Sequence, residues 1–219
     1  MKINLNTVVL FFILADNLYL PIDLGFDFRF NYIFFSFYIA YTLIKNKRIF
    51  LNKNIITASI ALLPFLIFVT ITKEFPVALT IKQLVLIYMN FFVSFILLNA
   101  YDFNLIKVLK DYSKLIFIAA VIGIIQFVSQ NIGFTYLSDF SYLGFDMGYY
   151  NSSPSSRIQS WFLEPSFLVY AFMPVAFIGI ARIFNIGNLL SLRKSIVVII
   201  ALLLSQSAIG ILGILCSLI

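Results

Sequence analysis

Seven apolar runs separated by short charged stretches constrain this chain more than any other feature. They lie at approximately 4–20, 30–44, 55–72, 84–100, 115–133, 165–185 and 195–219. A bilayer core about 30 Å thick takes roughly 17 to 25 apolar residues as helix. In lipid, backbone groups must also find their partners inside the protein. The pattern therefore predicts an all-α fold, a polytopic transmembrane helix bundle of about seven spans that forms a single transmembrane domain over 1–219. Only 11% of the residues are charged, against roughly 25% in an average soluble domain, and this excludes a soluble protein with a large core. The second run is short, and Phe26 to Phe30 can extend it. Pro64 and Pro174 fall well inside the third and sixth runs, where each removes a helical hydrogen bond that neighbouring groups must replace.

The charges between the runs report orientation. One set of termini and loops holds eleven cations: Lys2, Lys45, Lys47, Arg48, Lys53, Lys107, Lys110, Lys114, Arg182, Arg193 and Lys194. Its only acids are Asp102 and Asp111. The alternate set holds four cations, Arg29, Lys73, Lys82 and Arg157, and seven acids. Basic residues collect on the cytoplasmic side of membrane proteins, so the N-terminus is expected inside and the 134–164 loop outside. The net charge of +6 is thus spent on membrane topology, and no nucleic-acid partner is implied. Lys2 and the apolar run from Val8 to Ala15 precede Asp16-Asn17 without a small-residue cleavage site, which predicts a retained first helix. Asp16 reads as a helix-end carboxylate that reaches water, in preference to a proton carrier. Asp102–Lys114, with lysines between Phe103, Leu105, Ile106 and Leu109, reads as a short helix lying on anionic headgroups.

Histidine is absent, which removes histidine-based triads, histidine-ligated zinc and histidine proton relays from this stretch of chain. The single cysteine, Cys216, lies in an apolar run and has no partner for a disulfide within these residues. The chemistry is concentrated instead in Arg157-Ile-Gln-Ser160-Trp161-Phe-Leu-Glu164-Pro165-Ser166, at the end of the long outer loop. Ionisable groups at a membrane boundary are expensive and tend to mark a site or a structural lock. Pro165 suits the first turn of a helix, which sets Glu164 at or beside the cap, near the positive end of the helix dipole. Two readings stay open from spacing alone. Arg157 and Glu164 form a plain ion pair that ties the loop down, or the guanidinium clamps a diphosphate in the fork geometry that lysine lacks. The loop's aromatics, Tyr136, Phe140, Tyr142, Phe145, Tyr149 and Tyr150, suit an interfacial belt better than sugar stacking.

The pattern R-x-x-S-x-F-x-E-P-S over 157–166, following an outer loop and opening a transmembrane helix, resembles the O-antigen and capsular repeat-unit polymerases. These are Wzy-type proteins of the O-antigen polymerase/ligase superfamily. A weaker echo is Leu203-Leu204-Ser205-Gln206-Ser207-Ala208-Ile209-Gly210, similar to a leucine-rich stretch followed by hydroxyl and small residues in the family. The resemblance implies a glycosyltransferase of the bacterial cytoplasmic membrane that joins undecaprenyl-diphosphate-linked oligosaccharide units on its outer face. Glu164 would be the catalytic carboxylate, with Arg157, Ser160, Trp161 and Ser166 binding substrate. Membrane lipids and a chain-length regulator would be its partners. No cofactor and no metal are expected. Family members continue with further spans and a second arginine-bearing outer loop. This chain ends at Ile219 inside an apolar run, so it is expected to be the N-terminal part of a longer polymerase fold. A lipid-linked glycan flippase or other transporter, the related ligases, and a non-catalytic truncated membrane fragment are the alternatives.

Small residues let membrane helices approach closely, so Ser205, Ala208, Gly210 and Gly213 are expected to face neighbours within the bundle. The charge distribution makes a direct prediction about topology. A cysteine introduced at Ser153 should react with an impermeant maleimide in intact cells, and one at Asn46 only after permeabilisation. The reverse labelling pattern would overturn the orientation.

Overall fold

The computed structural model describes residues 4–19, 29–46, 77–146 and 157–216, together with isolated helical positions at Thr57, Ile60 and Pro64. Most of the run at 55–72, Tyr149 and Tyr150 therefore lie outside the described residues. The described architecture is all-helical, with α1 at Leu5–Leu14, α2 at Phe30–Asn46, α3 at Val77–Ala100, α4 at Leu105–Asn131, α5 at Pro165–Ile183, α6 at Leu192–Leu204 and α7 at Ala208–Cys216. Two of these, α4 with 27 residues and α5 with 19, are long and apolar enough to cross a membrane.

The chain divides into two compact units, Met1–Asn31 with Asn104–Ile219, and Tyr32–Phe103. In the second unit α3 carries the buried side chains Val93, Ile96 and Leu97. It ends in a turn where Asp102 and Phe103 take positive φ, and Phe103 packs on Phe95 with ring centroids 5.6 Å apart. The first unit is built on α4, α5 and α6. α5 packs along α6 and α7, and α4 packs on α6, α5 and α1. Its core includes Ile116, Ala120, Leu168, Phe172, Val198 and Leu202. Tyr112 Oη donates to Ala171 O at 2.6 Å, which ties α4 to α5 one residue beyond the Tyr170 carbonyl that Pro174 leaves without its helical donor. The close packing of α5 on α6 depends on Gly179, where a Cβ would lie 3.3 Å from Ser195 Cβ.

Several boundaries differ from those predicted, among them the start of α3 at Val77, seven residues before the expected 84. The stretch read as a separate interfacial helix is the start of α4: Asn104 Oδ1 caps it by accepting from Lys107 N at 3.1 Å. No proline or glycine then interrupts the chain before Gly123, so the helix runs on into the apolar segment. The first run is helical only to Leu14, because residues 16–19 are drawn into extended contacts. Leu18 bridges antiparallel to Phe145, and Tyr19 to Arg29. The last run is not one helix. α6 stops at Leu204, Gln206 takes a φ of 49°, and α7 begins at Ala208. Ser205 Oγ turns back to donate to Leu202 O at 2.6 Å, an i−3 bond that competes with helix continuation.

Asp16 accepts from Arg29 Nη1, in an ion pair, and from Asn31 Nδ2 at 3.0 Å. It therefore fastens the end of α1 to the start of α2. The Arg29 guanidinium also lies 5.6 Å from the centre of the Tyr19 ring. Of the small residues expected inside, Ser205 and Gly210 are buried, whereas Ala208 is exposed. A Cβ on Gly210 would meet Val169 Cγ2 at 3.2 Å and Leu202 Cδ1 at 3.4 Å. A whole leucine side chain has no room there, and overpacking of this kind costs about 1–3 kcal/mol. Gly210→Leu should lower stability by that amount in denaturant titration of the purified membrane protein. An unchanged midpoint would show that α7 does not need this contact.

Candidate functional site

The segment from Arg157 to Glu164 leads into α5, and it is held from two directions. On one side it meets the break between α6 and α7. Arg157 Nε donates to Ser205 O at 3.0 Å, and Ile158 N donates to Leu204 O at 3.4 Å. Carbonyls at a helix C-terminus have no partner within the helix, and here the loop supplies donors. Ile158 is fully buried, and its side chain packs on Gly123 of α4, where a Cβ would lie 2.9 Å from Ile158 Cδ1.

On the other side stands Gln126 of α4, fully buried. Its Oε1 accepts from Gln159 N at 3.1 Å and from Ser160 N at 2.9 Å, and its Nε2 donates to Ser138 O at 2.7 Å. One amide thus joins α4, the loop at Ser138 and the segment before α5. Ser160 is buried with a φ of 54°, a left-handed conformation uncommon for a residue other than glycine. Among the described residues its Oγ has no hydrogen-bond partner, and neither does the buried Trp161 Nε1.

α5 opens at Pro165, with Glu164 at the cap in extended conformation, φ −144° and ψ 156°. Proline fits this first position because the N–H it lacks has no acceptor there. The Glu164 side chain does not close back on the helix. It is exposed, and its Oε2 accepts from Ser166 Oγ at 3.0 Å. No ion pair joins it to Arg157 among the described residues. The residues read from the sequence therefore fall into three places. Glu164 and Ser166 share the mouth of α5, Arg157 lies against Ser205, and Ser160 and Trp161 are inside. The two sequence stretches singled out beforehand, 157–166 and 203–210, are in contact.

Trp161 also walls an apolar cavity of about 490 Å³, within the range of about 300–1,000 Å³ usual for ligand pockets. Its other walls come from α1, α4 and the loop that follows α4, with its two short 3-10 turns Thr135–Leu137 and Ser141–Leu143. Phe11 meets the Trp161 ring edge-on, with centroids 5.5 Å apart. Of the loop aromatics, Phe140 and Phe145 turn into this cavity, while Tyr136 and Tyr142 are exposed. The loop after α4 is pinned beside it to the segment that follows α1: Asn17 Nδ2 donates to Asp146 O and Asp146 N to Asn17 O, both at 2.9 Å.

Sequence reading missed Gln126 and Ser138. The available signal was one amide amid the apolar residues 115–128, where an unpaired polar side chain would be costly. The chain matches no family model, no curated protein sequence and no solved structure.

Because Arg157 and Glu164 rest on different partners, their substitutions should act independently on stability. The effects of Arg157→Gln and Glu164→Gln should add to within about 0.5 kcal/mol in the double variant, measured by denaturant titration. Recovery of stability in the double variant would instead reveal a direct pair.

Proposed function

We propose that this chain is a multi-pass membrane glycosyltransferase of the O-antigen polymerase type, with its N-terminus in the cytoplasm. It extends a glycan by joining undecaprenyl-diphosphate-linked repeat units on the outer face of the bacterial cytoplasmic membrane. The observation that carries this reading is the junction of Arg157 and Ile158 with Leu204 and Ser205, because these two stretches are the ones that resemble the family. The membrane setting is supported by α4 and α5 and by the cation distribution along the whole chain.

In this reaction a hydroxyl of the acceptor unit attacks the anomeric carbon of the donor. The bond from that carbon to the diphosphate oxygen breaks, and undecaprenyl diphosphate leaves with the electron pair. Glu164 takes the hydroxyl proton, a role suited to an exposed carboxylate at the mouth of the bundle. Its hydrogen bond from Ser166 fixes the carboxylate's orientation. Arg157 offsets the charge that develops on the leaving diphosphate. Trp161 presents an apolar wall to the polyprenyl chain, and the cavity beside it suits a hydrocarbon occupant.

A lipid-linked glycan transporter is the second reading, favoured by the interrupted helix at Ser205–Ser207, since broken helices line the substrate sites of many transporters. The full-length protein in cells separates the two. Under the polymerase reading, Glu164→Gln and Arg157→Lys should each leave lipid A capped with a single repeat unit and abolish the ladder of longer chains. Protein levels should stay normal. Loss of even the single-unit cap would favour the transporter. Wild-type chain lengths in Glu164→Gln at normal protein levels would remove this carboxylate from the reaction.

A further inference from the structure

We infer that Gln126 is a positioning residue for the site: its amide sets the left-handed turn at Ser160 and so fixes where Arg157 and Glu164 stand. This inference rests on the reading of 157–166 as the site. Gln126 belongs to a different part of the chain, 33 and 34 residues from the two backbone N–H groups it accepts from, and it reaches the site through the backbone of Gln159 and Ser160.

The geometry is specific to a primary amide. A glutamine amide has two acceptor lone pairs and two N–H donors. Gln126 uses both lone pairs on successive backbone N–H groups and one donor on Ser138 O. Two adjacent N–H groups converge on one oxygen only where the residue that carries the first of them, Gln159, turns the chain sharply, and the left-handed φ of 54° at Ser160 continues that turn. A non-glycine residue stays in this region only when its surroundings over-determine it. Here the surroundings are the Gln126 oxygen on one side and the buried Ile158 and Trp161 side chains on the other. Three residues before the turn, Arg157 reaches Ser205 O. Four residues after it, Glu164 caps α5. Release of the turn would rotate the two ends independently.

The test uses the full chain in lipid nanodiscs, with amide hydrogen exchange resolved at Gln159 and Ser160, and the glycan ladder read in cells. Gln126→Leu should speed exchange at both amides at least tenfold, leave the amides of α4 and α5 unchanged, and shorten the ladder at normal protein levels. Gln126→Glu keeps an acceptor oxygen and loses the donor to Ser138, so Gln159 and Ser160 should stay within about threefold of the wild-type rate. Where Gln126→Leu does not accumulate, Gln126→Asn, one methylene too short to reach both amides, serves in its place with the same expectation. Unchanged exchange at Gln159 and Ser160 overturns the inference. Uniform acceleration through α4 and α5 also overturns it, since Gln126 is then only a folding contact. Faster exchange with an intact ladder overturns it too, provided Glu164→Gln removes the ladder. An intact ladder in Glu164→Gln is a separate result and sinks the functional reading itself.

Discussion

Three backbone groups from two remote segments depend on the side chain of Gln126, which has no exposed surface. Gln159 N, Ser160 N and Ser138 O all find their partner in this one amide. Each would cost roughly 1–3 kcal/mol if left buried and unpaired. The surroundings are apolar and far from water, which strengthens the bonds that form and raises the cost of any that do not. Ser138 and the approach to α5 at Gln159–Ser160 are therefore held together on this face of α4. From that arrangement follows the position of Ile158 over Gly123, and from Ile158 the docking of the segment against the end of α6.

Local chemistry explains which boundaries were legible in the sequence. The start of α5 was written in Glu164-Pro165, because proline's fixed φ and missing N–H suit one helical position above others. The extent of α2 followed from the apolar run at 30–44, and α5 ends at Ile183 close to the expected 185. The break at Ser205–Ser207 was not legible. No proline or glycine stands there, and serine and glutamine are ordinary helix residues. What stabilises the break is a pair of donors at Arg157 and Ile158, more than forty residues earlier in the chain. The end of α1 was hidden for the same reason, since the extended stretch after it depends on partners at residues 29 and 144–146.

The candidate site shows the same division. The types of residue, and the presence of Glu164 at a helix cap, could be read from spacing. Their pairing could not. A seven-residue separation permits an Arg157–Glu164 ion pair, and a continuous helix would have put both on one stripe. The left-handed turn at Ser160 breaks that periodicity, so the two charges take different partners: Arg157 a backbone carbonyl, Glu164 the hydroxyl of Ser166. A positive φ at a serine leaves no trace in composition. Only the amide of Gln126, set among the apolar residues 115–128, pointed to an unseen partner.

A consequence follows for how the two halves of the site are maintained. If α6 and α7 lie within a bilayer, the carbonyls at their interruption have no water to turn to, and interrupted backbone at that depth persists only where protein or a lined cavity satisfies it. Arg157 and Ile158 supply that satisfaction for Ser205 and Leu204. The loop segment in turn has Gln126 and the helix break as its two anchors. Loss of either stretch therefore leaves the other with buried, unpaired backbone groups. The 157–166 and 203–210 stretches are coupled by hydrogen-bond accounting before any reaction is considered. A substrate group that competes for the Arg157 guanidinium would also reach the Ser205 carbonyl, and through it the geometry of the α6–α7 junction.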